Sequence, residues 1–256
     1  MSTAALLAQV EWSKPWLAHL PWPDRPCAAT VADTLNAVQP CPVRFVGGDA
    51  APPGEAYEAF IRRTGQVPTR DNLHDLFNGL VWWHFPRTKA KLNVLQAAEI
   101  ARQGVGAVRG PVRDAITLFD ENGAVLLAPE PLWRALRARD WHALFVTHRS
   151  LWAQARLVLF GHALMEQLVT PRKNITAHVL VQPLAFAGDA AWPGCAALDA
   201  ALAASLSAEC LARKPFTPLP ALGVPGWWPA NADPAFYADA GVFRPPRTAR
   251  QPLPVA

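Results

Sequence analysis

Proline is the strongest constraint on what this chain can fold into. It occurs 26 times in 256 residues, about twice the usual ~5%. Its fixed φ and missing N–H exclude it from helix interiors and central strands. The prolines crowd into two flanks. One holds Pro15, Pro21, Pro23, Pro26, Pro40, Pro42, Pro52 and Pro53, and the other runs from Pro215 through Pro218, Pro220, Pro225, Pro229 and Pro234 to Pro246. Regular helices therefore belong between the flanks. This divides the chain into a Pro-rich N-terminal segment packed on the domain (1–54), a helical core (55–213) and a C-terminal strap (214–256). The strap carries Trp227, Trp228, Phe236, Tyr237 and Phe243, too many large aromatics for a floating linker. It is expected to be ordered, with only its last ten or so residues mobile.

Within the core, helical spacing of apolar residues predicts helices over 71–85 (Leu73, Leu76, Phe77, Leu80) and 87–103 (Leu92, Leu95), the second closed by Gly104 and Gly106. Shorter helices are expected over 28–38, 55–63, 131–139, within 141–154 and over 161–169. A longer one is expected over 195–213. Residues 113–119 read as strand-like, Asp120-Glu121-Asn122-Gly123 as a tight turn, and 124–128 as the returning strand. Residues 176–181 suit a further strand, and 157–160 suit either a strand or a helix start. The fold class expected is α+β: a single, mostly helical domain with a small antiparallel β-hairpin sheet near 113–128 and a Pro-rich ordered C-terminal strap.

Composition excludes several classes. Hydrophobic residues are 51% and charged residues 17%, which rules out a disordered chain. The net charge of +4 comes without any block of five like charges, so nucleic acid is only a weak expectation as a partner. Cys27, Cys41, Cys195 and Cys210 stand far apart with no CxxC pair. That argues against a zinc ribbon and for reduced thiols in a cytoplasmic protein. The first eight residues lack a basic n-region, and the longest uncharged stretch is too short to span a bilayer. No GxGxxG, P-loop or GxSxG motif occurs.

Two constellations can carry chemistry. On a helix, Asp71, His74, Asp75 and Asn78 fall at i, i+3, i+4 and i+7, one polar stripe opposite the leucines. Imidazole and carboxylate together suit a divalent metal or a general-base pair. A capped helix start whose histidine bonds to a neighbouring loop accounts for the same stripe. His162 and Glu166, at i and i+4, can share one ligand or form a plain ion pair. His74, Asp75, His162 and Glu166 are the candidate catalytic and metal-ligating residues. Arg70, Asn78, Lys89 and Arg113 are the candidates to bind an anionic substrate. A ββα metal nuclease needs a His at the end of the first hairpin strand, and this chain has Asp120 there.

Several stretches together identify a resemblance. They are Val67-Pro68-Thr69-Arg70-Asp71-Asn72-Leu73-His74-Asp75-Leu76-Phe77-Asn78, Phe85-Pro86-Arg87-Thr88-Lys89, Arg113-Asp114-Ala115-Ile116-Thr117-Leu118-Phe119-Asp120-Glu121-Asn122-Gly123, Phe160-Gly161-His162-Ala163-Leu164, Gly226-Trp227-Trp228-Pro229-Ala230-Asn231 and Phe243-Arg244-Pro245-Pro246. From about Phe45 to Arg247 the chain resembles the uncharacterised bacterial domain-of-unknown-function family DUF3025. The resemblance implies a bacterial cytoplasmic protein and brings no activity, cofactor or partner with it.

Two functions follow as expectations. In one, the histidines and carboxylates converge on a metal-assisted or acid–base hydrolase-like site for a small phosphate- or carboxylate-bearing substrate. In the other, the protein is a non-catalytic binding or scaffold module whose His/Asp/Asn network stitches the domain together. A shared cleft for His74 and His162 separates the two readings.

Overall fold

The structure, a computed structural model, describes residues 2–22, 27–38, 41–103, 110–181 and 194–245. The N-terminal part contributes α1 (Thr3–Leu7), α2 (Val31–Val38), β1 (Arg44–Gly47), α3 (Tyr57–Thr64) and β2 (Gln66–Thr69). Two long helices follow, α4 (Leu73–His84) and α5 (Pro86–Gln103). Next come α6 (Pro111–Asn122), β3 (Gly123–Leu127), α7 (Glu130–Ala138), β4 (Arg156–Leu159), α8 (His162–Val169) and β5 (Thr176–Val181). The described chain closes with α9 (Gly194–Ser205), α10 (Ala208–Ala212), β6 (Phe216–Pro220) and a run of short 3-10 turns to Ala238. Among the described residues no helix is long and apolar enough to cross a membrane.

The expected α+β class holds, but the expected hairpin does not. Residues 113–119 are not a strand: they lie inside α6, which starts with Gly110 as N-cap and Pro111 in the first turn. Val112, Ala115, Ile116 and Phe119 recur at i, i+3, i+4 and i+7 and are all buried, so the helical period outweighs the β-branched content. Asn122 is still helical, and Gly123 is extended at φ −74°. The Asn-Gly pair is therefore not a turn. Gly123 is needed for space instead: a Cβ there would stand 2.2 Å from the Phe119 carbonyl oxygen.

β3 leaves α6 directly and enters the middle of a four-stranded mixed sheet of order β4-β3-β5-β6. It runs antiparallel to β4 and parallel to β5, with Val125 opposite Val158 on one side and Leu180 on the other. All five residues of β3 are buried, as a strand covered on both faces requires. β6 carries Pro218 and Pro220 and sits at the sheet edge, where a missing N–H is tolerated. β1 and β2 form a separate parallel pair, likewise with a proline (Pro68) on an edge. Prolines concealed β2 and β6 in the sequence because only edge position makes them acceptable.

Two other boundaries differ from expectation. Within 141–154 the chain makes one π-helical turn (Ala143–Thr147) and then a 3-10 segment (Arg149–Gln154), not an α-helix. The helix expected over 195–213 is broken between α9 and α10, where Ser207 accepts from the Cys210 N–H and restarts the helix. The closing glycines expected after α5, Gly104 and Gly106, lie outside the described residues.

The C-terminal aromatics pack onto the domain. The Phe145 ring stacks on Tyr237 with centroids 4.8 Å apart and meets Phe243 edge-on at 5.9 Å. The Tyr237 hydroxyl donates to the Gly223 carbonyl, and the Trp141 indole donates to that of Arg244. The tip expected to be mobile, residues 246–256, lies outside the described residues. Trp12 and Trp22 of the N-terminal segment and Trp83 of α4 contact in series, their rings tilted and their centroids 5.3 and 5.2 Å apart. α4 lies between the main core around the sheet and a smaller core of Leu6, Val31, Leu35, Phe45 and Val67.

Candidate metal centre

Three helices deliver the polar side chains. α4 begins at Asn72, whose side chain accepts from the Asp75 N–H at 2.8 Å and fixes the first turn. His74 follows on that turn. α8 begins at Gly161 with His162 as its first residue. Gly161 lies so close to the end of α6 that a Cβ would sit 2.4 Å from the Glu121 carbonyl oxygen and 2.5 Å from the Gly123 nitrogen. The Gly161 N–H donates to the Gly123 carbonyl at 2.8 Å. Glycine thus lets the start of α8 dock on the end of α6, which brings Asp120 and Glu121 beside His162.

The two histidines meet. Their Nε2 atoms are 3.1 Å apart and their rings cross at 78°. Glu121 Oε2 lies 3.5 Å from His162 Nε2. One ligand atom each from His74, His162 and Glu121 lies within 4.8 Å of the other two. On the far side of its ring, His74 Nδ1 is 3.1 Å from Glu166 Oε2. On the far side of the other ring, His162 Nδ1 faces Asp120 Oδ2 at 3.9 Å, too long for a hydrogen bond. That nitrogen is buried with no hydrogen-bond partner.

The tautomers follow from these distances. Glu166 holds the proton of His74 on Nδ1, leaving the lone pair on Nε2. A proton on His162 Nε2 would bridge to that lone pair, but it would strand the buried Nδ1 lone pair opposite a carboxylate. A proton on His162 Nδ1 points at Asp120 and leaves three acceptors, both Nε2 atoms and Glu121, facing one another. Among the described residues, the first arrangement leaves the His162 Nδ1 lone pair without a donor, and the second sets the two Nε2 lone pairs against each other. A cation at the common point satisfies the second. Burial, opposed by Asp120 and reinforced by Lys89 and His74, drops the His162 imidazole to about 4, so it is neutral and able to act as a ligand at neutral pH.

Around this trio lies a bonded shell. Burial alone would raise the Asp120 carboxyl, but Lys89 and the two histidines together hold it below its ordinary range. The Lys89 ammonium is buried, 2.5 Å from Asp120 Oδ1 and 2.9 Å from Asn78 Oδ1. Asn78 donates in turn to the Tyr57 hydroxyl at 3.1 Å. Tyr57 is 40% exposed as a residue, but desolvation of its hydroxyl end, with Asp120 and Asp75 adding to it, pushes the phenol above its usual range. A cavity of about 70 Å3 opens on the other side of Asp120 and Glu121, between α3, α5 and α6.

The predicted residues are therefore distributed unequally. The structure brings His74, His162 and Glu166 together. Glu166 pairs with His74 on another helix, however, not with His162 in its own. Asp75 faces away from the histidines: its carboxylate accepts from the Arg70 backbone N–H and, in a fork, from the Arg70 guanidinium. Adjacent helical positions point about 100° apart, so His74 and Asp75 cannot aim at one point. Arg70 and Lys89, expected to bind an anion, are each paired with a carboxylate, and Asn78 is bonded at both ends. Arg113 is buried on α6 and does not line the cavity. Asp71, the first residue of the predicted stripe, lies before α4 and accepts from the Val31 N–H at the start of α2. Asp120, Glu121 and Tyr57 are candidate-site residues that the sequence reading does not single out. Asp120 and Glu121 have the composition of a turn; on one helix with Thr117, three and four residues earlier, they form a polar stripe.

A family model described as a protein of unknown function, DUF3025, matches residues 43–247, and the chain belongs to that family. No curated protein and no solved structure matches it significantly.

Proposed function

We propose that this DUF3025 protein holds one divalent transition-metal ion between His74, His162 and Glu121 and uses it in hydrolase-like acid–base chemistry. The observation that carries the reading is the convergence of three acceptors, two imidazole nitrogens 3.1 Å apart and a carboxylate oxygen 3.5 Å from one of them. Two nitrogens bound to one ion at ordinary zinc–nitrogen lengths stand about 2.9–3.4 Å apart, depending on coordination angle. Two imidazoles and one carboxylate also form a donor set of catalytic zinc, which keeps a further position open. An ion there lowers the pKa of a bound water towards ~7.

The protein's own residues supply the rest. Glu166 orients His74 through a hydrogen bond, and Asp120, held by Lys89, places a carboxylate 3.9 Å from His162 Nδ1, a charge contact and not a hydrogen bond. Among the described residues, four carboxylates (Asp75, Asp120, Glu121, Glu166) stand with two cations (Arg70, Lys89) in and around the cluster, a balance that favours a cation. The non-catalytic reading draws on one observation: Tyr57, Asn78, Lys89 and Asp120 form an unbroken bonded chain, as a structural network would. The four cysteines are free thiols, which fits the reducing bacterial cytoplasm in which we place the protein.

Zinc titration of chelator-stripped protein is the test. One equivalent should bind and raise the melting temperature, and His74→Ala and His162→Ala should each abolish both effects. If wild-type protein takes up no zinc, cobalt or manganese while both variants only lose stability, the histidines are structural.

A further inference from the structure

A cavity of about 770 Å3 lies between the end of α7, the β5–β6 end of the sheet and the C-terminal strap, and it shares no residue with the metal centre. Its volume falls within the roughly 300–1,000 Å3 of small-molecule sites. The ionisable residues that line it are Arg139 and Arg244, and no carboxylate lines it with them. The acids next to these segments in sequence are engaged elsewhere. Asp140 accepts from the Ala143 N–H, and Asp239 is held by Lys173 at 3.0 Å and by the Gly241 N–H. Val242, Pro218 and Pro220 give the cavity an apolar wall.

Both arginines are set in place with donors to spare. Arg244 is fixed twice: its carbonyl accepts from the buried Trp141 indole at 2.8 Å, and its Nε donates to the Gly241 carbonyl at 2.9 Å. Among the described residues the two terminal nitrogens of its fork have no partner. Arg139 closes α7 in the left-handed region, at φ 52° and ψ 34°. That position suits glycine and strains a residue with a Cβ. The Arg139 guanidinium makes no hydrogen bond or ion pair among the described residues, so no polar contact of the side chain offsets the strain. A backbone outlier whose side chain lines a cavity is a pointer to function.

We infer that this cavity binds an organic phosphate monoester, its phosphate forked between Arg139 and Arg244 and its carbon body against Val242 and the two prolines. Guanidinium planes match phosphate oxygens in a bidentate fork. A monoester carries about −1.5 to −2 at neutral pH and balances both cations, where a single carboxylate leaves one unmatched. The sequence beyond Pro245 does not complement the site, since it carries Arg247 and Arg250.

The inference stands apart from the metal-centre reading, so the test uses chelator-treated full chain. Phenyl phosphate, inorganic phosphate and benzoate are titrated into it calorimetrically. Phenyl phosphate should bind at one saturable site, and the other two at least tenfold more weakly. Arg139→Gly and Arg244→Gln should each weaken phenyl phosphate by about tenfold or more. Arg139→Gly should at the same time raise the melting temperature by about 2–4 °C, because glycine takes the left-handed position without strain. Arg137→Gln, which removes an equal charge from α7 outside the cavity, should leave the affinity unchanged. Absence of saturable phenyl phosphate binding by folded wild-type protein overturns the proposal. So does benzoate or inorganic phosphate binding as tightly, or Arg137→Gln weakening the complex as much as the cavity variants. An Arg139→Gly protein that keeps its affinity, or that melts lower, overturns it as well.

Discussion

His162 and Asp120 face each other across 3.9 Å with no hydrogen bond between them, although the His162 side chain is 5% exposed. A buried imidazole nitrogen without a partner costs about 1–3 kcal/mol. The arrangement stands because the other face of the same ring meets His74, 88 residues away in sequence. The ring is held between a carboxylate and a second imidazole, and its position was set by how α8 docks on α6.

Glu166→Gln tests the orienting role. The amide can donate to His74 Nδ1 and so reverse the tautomer, placing the proton on Nε2 where the ion should bind. Loss of such an orienting partner weakens metal binding by roughly 10–100-fold. Competition against a chromophoric chelator measures this. Because the side chain is 43% exposed, the melting temperature of the metal-free protein should hardly move. An unchanged zinc affinity would show that Glu166 does not act through His74.

Gly161→Ala tests the docking. The new methyl would collide with backbone atoms of Glu121, Asn122 and Gly123, which cannot swing aside as a side chain can. We expect a loss of about 1–3 kcal/mol of stability, seen in urea denaturation, together with weakened zinc binding as His162 leaves the trio. Ala163→Gly, one position past His162, should lower helix stability by about 1 kcal/mol without that loss of binding.

Acidification tests histidines whose pKa folding lowers, among them the half-buried His84 and His178 together with the buried His162. Burial lowers the His84 imidazole, against a hydrogen bond to the Pro21 carbonyl that raises it, and burial lowers His178. A group whose pKa is depressed on folding takes up its proton more readily in the unfolded chain. Stability should therefore be full above the unfolded value of ~6.5 and fall as the pH drops below it. Melting temperatures of chelator-treated protein between pH 7.5 and 5 should show the decline, and His178→Gln should lessen it without removing it, since His162 and His84 also contribute. A profile that rises on acidification would contradict the burial.

The sequence by itself determined what was periodic and local. Helix α4, with its leucine face and the polar stripe containing His74, follows from 3.6-residue spacing, and so does the i, i+4 placement of His162 and Glu166 on α8. The proline-rich flanks followed from the covalent constraint on φ. The tertiary structure alone decided which side chains meet. Glu166 has two imidazoles within reach, and its choice of His74 over His162 depends on how α4 and α8 pack, not on either helix. Asp75 was taken by Arg70 because successive helical residues diverge in direction. Asp120-Glu121-Asn122-Gly123 has the composition of a turn, and its local preferences are weak enough for packing to override. The helix continues through Asn122 because Val112, Ala115, Ile116 and Phe119 bury one continuous face and Gly161 leaves room for its last turn. That continuation brings Glu121 to the two histidines, a contact between residues far apart in sequence that no local pattern encodes.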